Sequence, residues 1–527
     1  MTFELWILGF ISEIIIKTMK IPKEVELVIK KLQESGYEAY IVGGCVRDIL
    51  RGVEPNDWDV ATEAKPEEVG KIFLRSFTEN KFGTVTVLTG SEDPKLKEIE
   101  ITTYRIDEKY TDKRHPDKIS WAKTIEEDLA RRDFTINAMA LDTSCNAKRV
   151  TYNARKNDLL GYKLQVTGYR IVDPFEGQKD LKNKVIRAVR NPAERFSEDA
   201  LRMLRAIRFA VSLEEKIWEI EEKTAQGIKK NVELLNLISK ERIRDELIKI
   251  INSLRGARGI EILRRLGLLQ YIIPELEQGF GVWQNKHHIY QVYEHALLSL
   301  NYACQMGFSK NVRIAALFHD IGKPKVKQGE GPDSTFYNHE IVGAKMTQKI
   351  LERLRFPKKD ITEIVKLVKY HLFYYNVGEV SDSSVRRLLR KVGQEDIDKL
   401  LEVRQSDRIG SGVPKAEPYK LRYLRYTFEK VSQDPISPKT LKVSGDDVMR
   451  ILNVLPGPKV GHVLSYLLGQ VLSDPKKNVL PYLEKEIERL GQMSDEELEK
   501  LARKAKEEIE KIETKRDEMT RKKYWVT

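Results

Sequence analysis

Apolar and polar positions follow two different periods along the chain, and the change from one to the other divides it. Val25, Val28, Ile29 and Leu32 recur at helical spacing over 21–39, predicting an amphipathic helix that leads into a strand at Tyr40, Ile41 and Val42. The apolar run breaks at Gly43-Gly44 and resumes with helical spacing at Val46, Ile49 and Leu50. A second strand is then expected to hold Asp57, Trp58 and Asp59. Lys65–Leu74 reads as a helix with Pro66 in its first turn. Alternation returns in Gly83–Thr89 and Glu98–Arg105, so two more strands follow; Ile99 and Ile101 face the core and Glu100 the other side. From Asp173 onward the period is helical. Leu201, Leu204 and Ile207 stripe one continuous helix through NPAERFSEDALRMLRAIRFA, with Ser197 as its cap. Leu234, Ile238, Ile243, Leu247 and Ile250 continue the pattern. Two helices meet at Pro456-Gly457-Pro458. The last helix opens with a capping box from Ser494 to Glu497 and packs through Leu498, Leu501, Ala505, Ile509 and Ile512.

At 527 residues the chain exceeds one core, and about three or four domains are expected. Apolar residues at 41% suffice for those cores, while 33% charged residues leave little room for membrane spans. The apolar run in residues 1–20 is interrupted by Glu4 and Glu13, lacks a basic leader and is shorter than a span of about 20 residues. It reads as an N-terminal extension, with Met19 as an alternative start, and no membrane partner is expected. A net charge of +12 favours a polyanionic partner. Cys45, Cys145 and Cys304 form no CxxC pair, so the cytoplasm is the simplest compartment.

Charge placement then suggests chemistry. Residues two apart in a strand share a side, so Asp57 and Asp59 present both carboxylates to one space, where a divalent cation relieves their repulsion. Paired glycines after a strand admit a close ligand, and Arg47 in the following helix offers donors suited to phosphate oxygens. Oxygen ligands facing a triphosphate suit Mg²⁺ and nucleotidyl transfer. The segments GGCVRDIL and NDWDVAT resemble the nucleotidyltransferase motif of the DNA polymerase beta superfamily. More narrowly, they resemble bacterial class II tRNA nucleotidyltransferases (CCA-adding enzymes) and the related poly(A) polymerases.

That resemblance implies an α+β chain: a polymerase-beta-like nucleotidyltransferase head on a mixed sheet, followed by all-α neck, HD and body/tail domains. After the extension at 1–20, the expected boundaries are 21–170 for the head and 171–275 for a helical neck with the base-recognition helix. The HD domain should span 276–410 and a tRNA-binding body/tail 411–527. Asp57, Asp59 and Glu100 are the expected catalytic carboxylates, with Mg²⁺ on the first two. Gly43, Gly44, Arg47 and Arg132 are expected to hold the nucleotide, and Asp133 to accept from a ribose 2′-hydroxyl. Within EDALR, the resemblance assigns Asp199 and Arg202 to the incoming base and places Glu198 among the nucleotide-binding residues, with Arg205 and Arg208 on the triphosphate. The loop carrying Asp112, Arg114 and Pro116 has the length that favours complete CCA addition from CTP and ATP to the tRNA acceptor end. CC-adding and A-adding specialists and a poly(A) polymerase are the alternatives. Residues 143–170 depart from the family pattern.

A second cluster is spread through the helical region. His295, His319-Asp320 followed by Gly-Lys-Pro, His339, His371 and Asp407 combine imidazole and carboxylate ligands suited to a divalent transition metal such as Mn, Ni, Fe or Co. The pattern resembles an HD domain, the metal-dependent phosphohydrolase module, which supplies a rival function of a different class.

Overall fold

A computed structural model describes residues 21–78, 83–108, 118–144, 169–214, 216–285, 289–373, 376–377, 379–432 and 441–526. The N-terminal extension, the loop residues Asp112, Arg114 and Pro116, and most of 143–170 lie outside the described residues. The chain divides into two units. One runs to Lys369 and includes Gly410–Gly412; the other comprises Tyr370–Ile409 and Val413–Thr527.

The first unit opens with helix α1 (Lys23–Glu34), whose Val25, Val28, Ile29 and Leu32 are buried as the spacing requires. It covers a seven-stranded mixed sheet of order β3-β4-β5-β2-β1-β8-β9. The strands are β1 (Ala39–Val42), β2 (Asp59–Thr62), β3 (Ser76–Thr78), β4 (Thr84–Leu88), β5 (Glu98–Thr103), β8 (Ala140–Asp142) and β9 (Arg170–Val172). Between β5 and β8, β6 (Arg105–Glu108) and β7 (Lys118–Trp121) form a separate antiparallel ribbon. Alternation assigns each face of the sheet. Ile41, Val60, Ile99 and Ile101 pack with α1, whereas Tyr40, Val42 and Ala61 pack with Tyr104, Leu129 and Ala138 on the opposite side. Asp59 and Ala61 share a face by the same rule, so Asp59 is turned away from α1.

Helices α2 (Gly44–Leu50) and α3 (Ile125–Ala130) flank the site, and the neck follows. Its leading segment differs from expectation: α4 (Pro192–Glu198) and α5 (Leu201–Ser212) are separate helices. Asp199 Oδ1 accepts from Leu201 N at 3.0 Å, and this side-chain competition for a backbone N–H restarts the helix. Ser197 does not cap; its Oγ donates back to Glu194 O at 2.8 Å. The neck also holds a short parallel strand pair, Val185–Ile186 with Glu219–Ile220, within its helices. Helix α6 (Lys240–Asn252) packs on α5, and helices Val292–Gln305, Lys310–Phe318 and His339–Arg353 continue the unit.

In the second unit, Val448, Val463, Leu467, Leu483, Ile487 and Leu498 form one core. Ser494 and Glu497 form the predicted capping box of the 29-residue helix Asp495–Lys523. The far end of that helix is tied to helix Tyr419–Ser432 by Tyr524 Oη, which donates to Glu429 Oε2 at 2.6 Å, and by a bond from Tyr426 Oη to Asp517. Among the described residues no helix is long and apolar enough to cross a membrane.

Candidate active site

Strand β1 ends at Val42 and the chain turns at Gly43 with φ +78°, a left-handed value that favours glycine. A Cβ there would stand 2.9 Å from Arg132 Nη1 and 3.3 Å from Asp59 Oδ2, so the missing side chain also leaves room for both groups beside the turn. Arg47, in the first turn of α2, is fixed from two sides. Its Nε and Nη2 donate to the Asp48 carboxylate at 3.0 and 2.8 Å, and its Nη1 donates to Asn137 Oδ1 at 2.8 Å.

Only one of the paired aspartates is in a strand. β2 begins at Asp59, opposite Val42, because β1 turns away at Gly43 and leaves nothing for Asp57 to pair with. Asp57 therefore lies in a bend, exposed, just before buried Trp58. Both carboxylates still line the same cleft. Burial pushes Asp59 up to about 6, with Asp57 adding to the shift and Arg132 opposing it. A carboxyl that resists ionisation beside a second acid fits a cation-binding pair. Glu100 is aligned with Asp59 across the parallel β2–β5 pair, on the same face, but it is exposed and does not line the cleft.

The cleft encloses about 510 Å³. It brings together the predicted Gly43, Gly44, Arg47, Asp57, Asp59, Arg132, Asp133, Asp199, Arg202, Arg205 and Arg208. Glu198 stays outside; it is held by Arg195 and accepts from Arg202 Nη1 at 2.6 Å. Arg202 Nη2 also donates to Arg131 O at 3.2 Å, tying the neck helix to the head. Asp133 is buried and fully engaged. Oδ2 accepts from Arg205 Nε at 2.7 Å, while Oδ1 accepts from Phe134 N at 2.8 Å and Asn137 Nδ2 at 3.1 Å. Burial would raise its pKa, but Arg205 and Asn137 outweigh that and bring it to about 2. Arg132 is tied to the buried Asp128 at 3.2 Å, which Arg131 also grips at 2.8 Å.

Five further residues line the cleft beyond the expected site residues: Arg131, Asn137, Leu201, Phe209 and Arg242. Arg131 and Asn137 lie beside the expected Arg132 and Asp133 in the segment RRDFTINA, residues 131–138. Phe209 looks like one more apolar helix position. Arg242, on α6, pairs with Asp199 at 2.9 Å across 43 residues, and no local pattern marks it.

The first unit also gathers His295, His319, Asp320 and His339, all buried. His295 Nε2 and His319 Nε2 lie 2.8 Å apart, each 3.3 Å from Asp320 Oδ2, and His339 Nε2 lies 3.2 Å from Asp320 Oδ1. Nδ1 of His319 and of His339 each lie 2.8 Å from a backbone carbonyl, which as donors leaves both Nε2 lone pairs for a cation. Burial would raise Asp320, but Lys323, 2.6 Å from Oδ2, and His319 hold it well below the usual carboxylate range. His295, His319 and Asp320 can thus supply three ligand atoms to one ion. His371 and Asp407 are buried in the second unit, where Asp407 pairs with Arg404.

Residues 39–187 match the poly A polymerase head domain. Residues 218–280 match the probable RNA and SrmB-binding site of polymerase A, and 292–409 match the HD domain. A curated CCA-adding enzyme of Ligilactobacillus salivarius is 41% identical over 472 residues, covering 87% of this chain and 96% of that protein. The chain belongs to the CCA-adding enzyme family. A second CCA-adding enzyme, from Lactobacillus helveticus, is 32% identical over 465 residues, covering 88% of this chain and 96% of its own length. The crystal structure of the Bacillus stearothermophilus CCA-adding enzyme in complex with CTP is similar at 26% identity and a TM-score of 0.56, over 89% of this chain and 98% of that one. The family is one of nucleotidyltransferases that depend on a divalent metal.

Proposed function

We propose that this chain adds C, C and A to the 3′ end of tRNA from CTP and ATP, without a nucleic-acid template and in the cytoplasm. The observation that carries this reading is one cleft joining the Asp57–Asp59 carboxylates of the head to the Asp199–Arg202 pair of the neck. Asp57 and Asp59 are the residues that would hold Mg²⁺. When bound, the ion lowers the pKa of the terminal 3′-hydroxyl and steadies the pyrophosphate leaving group. The chain's own side chains do the rest. Arg47, Arg132, Arg205 and Arg208 bind phosphate oxygens, and the glycine turn lets the nucleotide approach the backbone. Asp199 accepts from the exocyclic amine of the base, while Arg202 donates to the adjacent ring nitrogen or carbonyl. Cytosine and adenine both offer an amine beside an acceptor, so one pair serves both nucleotides. Arg242 aims Asp199 and leaves its remaining lone pairs for the base. Asp133 anchors Arg205, fixing that guanidinium at the cleft wall.

The test is incubation with tRNA lacking its 3′ CCA plus CTP, ATP or both, followed by sequencing of the product ends. Complete CCA from both nucleotides supports the reading. A stop after CC, addition of A alone, or long A tails selects one of the specialist alternatives. Wild-type extension by Asp57→Ala and Asp59→Ala proteins would end the proposal.

A second reading attaches to the histidine cluster. Converging Nε2 atoms of His295 and His319 beside Asp320 suit a divalent transition metal and phosphoester hydrolysis. Elemental analysis of the purified chain and its His319→Ala variant tests the metal directly.

A further inference from the structure

Helix α5 sets Phe209 in the cleft wall immediately after Arg208 and one turn beyond Arg205. Three guanidinium groups gather around its ring. Arg208 Cζ lies 4.3 Å from the ring centroid, Arg47 Cζ 5.4 Å and Arg205 Cζ 5.5 Å. Arg47 comes from the head and the other two from the neck. The ring itself is oriented by an edge contact with Phe134 of the head, the centroids 5.8 Å apart and the planes at 81°. Each arginine has its own acid, Asp48, Asp133 or Glu246, and these lie on three different elements. The ring is a neighbour that all three share. Like charges this close repel, and burial together with Arg205 and Arg47 draws Arg208 below its ordinary value despite Glu246. An aromatic face, being electron-rich, offsets that repulsion where an aliphatic side chain of equal bulk does not.

We propose that Phe209 is a positioning residue for the triphosphate: its ring gathers Arg47, Arg205 and Arg208 into one convergent set of donors. CTP and ATP then meet the same prearranged cations whichever base is selected. The inference rests on reading the cleft as a nucleotide site, and Phe209 itself touches no reacting atom. Base choice belongs to Asp199 and Arg202, so phosphate grip and base preference should separate when the ring is altered.

Replacing Phe209 with pentafluorophenylalanine keeps the shape and reverses the ring's charge distribution; Phe209→Leu removes the ring. The full-length proteins are titrated with inorganic tripolyphosphate, and KM and kcat for CTP and ATP are measured on truncated tRNA. The fluorinated protein is expected to bind tripolyphosphate about five- to thirtyfold more weakly. KM for both nucleotides should rise by the same factor, with kcat and the CTP-to-ATP preference within about twofold of wild type. Phe209→Tyr, which retains an electron-rich face, should stay within about threefold of wild type. Unchanged tripolyphosphate affinity in the fluorinated protein overturns the proposal, and so does a loss confined to one nucleotide. The fluorinated chain preserves the packing, so the comparison with wild type holds even where Phe209→Leu does not fold. A wild-type protein that neither binds tripolyphosphate nor extends tRNA overturns the nucleotide-site reading itself, a result distinct from either of the others.

Discussion

Substituting alanine at Gly43 and at Gly44 separates two roles that adjacent glycines play. At Gly43 the backbone has φ +78° and ψ −135°, a region almost confined to glycine, so a side chain there costs about 1–3 kcal/mol. The new Cβ would also stand 2.9 Å from Arg132 Nη1, closer than Cβ atoms are found to other groups. The guanidinium tip can retreat, but its 3.2 Å bond to Asp128 then weakens, while Arg131 still holds that acid at 2.8 Å. We expect Gly43→Ala to lower head stability by about 2–4 kcal/mol in total. With Asp59 Oδ2 only 3.3 Å from the added atom, turnover should fall about a hundredfold. At Gly44 an added Cβ meets nothing nearer than Arg47 Nη2 at 3.5 Å, an ordinary contact. Gly44→Ala should leave stability within about 0.5 kcal/mol of wild type. Its methyl group instead obstructs the approach of phosphate to the backbone and raises nucleotide KM about tenfold. Hydrogen exchange of peptides spanning β1 and β2 reads head stability, and single-nucleotide incorporation reads the kinetics. Native protection and turnover in Gly43→Ala, or a wild-type KM in Gly44→Ala, would refute this account of the turn.

Asp59→Asn should abolish nucleotide incorporation while CTP binding through the arginines persists; equilibrium dialysis with labelled CTP distinguishes the two effects. Arg242→Gln releases Asp199 from its 2.9 Å partner, and the discrimination between correct and incorrect nucleotides should drop about tenfold with little change in tripolyphosphate affinity. Asp133 is held at about 2 against an ordinary 3.8, so its ionisation stabilises the fold by about 2 kcal/mol at neutral pH. Because the folded value lies below the unfolded one, that contribution is complete above the unfolded value and is lost as pH falls from about 4 to about 2. Urea midpoints of wild type and Asp133→Asn should therefore converge over that interval; parallel curves would contradict it. His319→Ala should leave the histidine cluster without metal but should not slow CCA addition in the presence of Mg²⁺, as paired metal analysis and incorporation assays will show.

What could be read from the sequence was what short spacings encode. The Gly-Gly turn, Arg47 and the two aspartates lie within one short segment and share one cleft, although Asp57 sits in a bend rather than in the strand that period-two spacing predicts. Glu100 needed register: only the parallel alignment of β2 with β5 puts it beside Asp59, and the cleft wall then passes it by. The helix break at Asp199 was hidden because apolar spacing continues unbroken across it, while the interruption comes from a side chain bonding its own backbone. Glu198 carried the right charge in the right motif, yet its oxygens are committed to Arg195 and Arg202. Arg242 and Phe209 escaped for opposite reasons. One is remote in sequence from its partner, and the other is indistinguishable, by pattern, from core.

All seven arginines of the cleft already rest on an acid: Arg47 on Asp48, Arg131 and Arg132 on Asp128, Arg202 on Glu198, Arg205 on Asp133, Arg208 on Glu246 and Arg242 on Asp199. A nucleotide entering here does not meet bare cations; it shares donors that carboxylates already hold in place, which lowers the net gain from each contact. That lower net gain favours release of pyrophosphate before the next monomer arrives. A site that must load three times in succession on one tRNA works better with such reversible partners than with a tight anion trap.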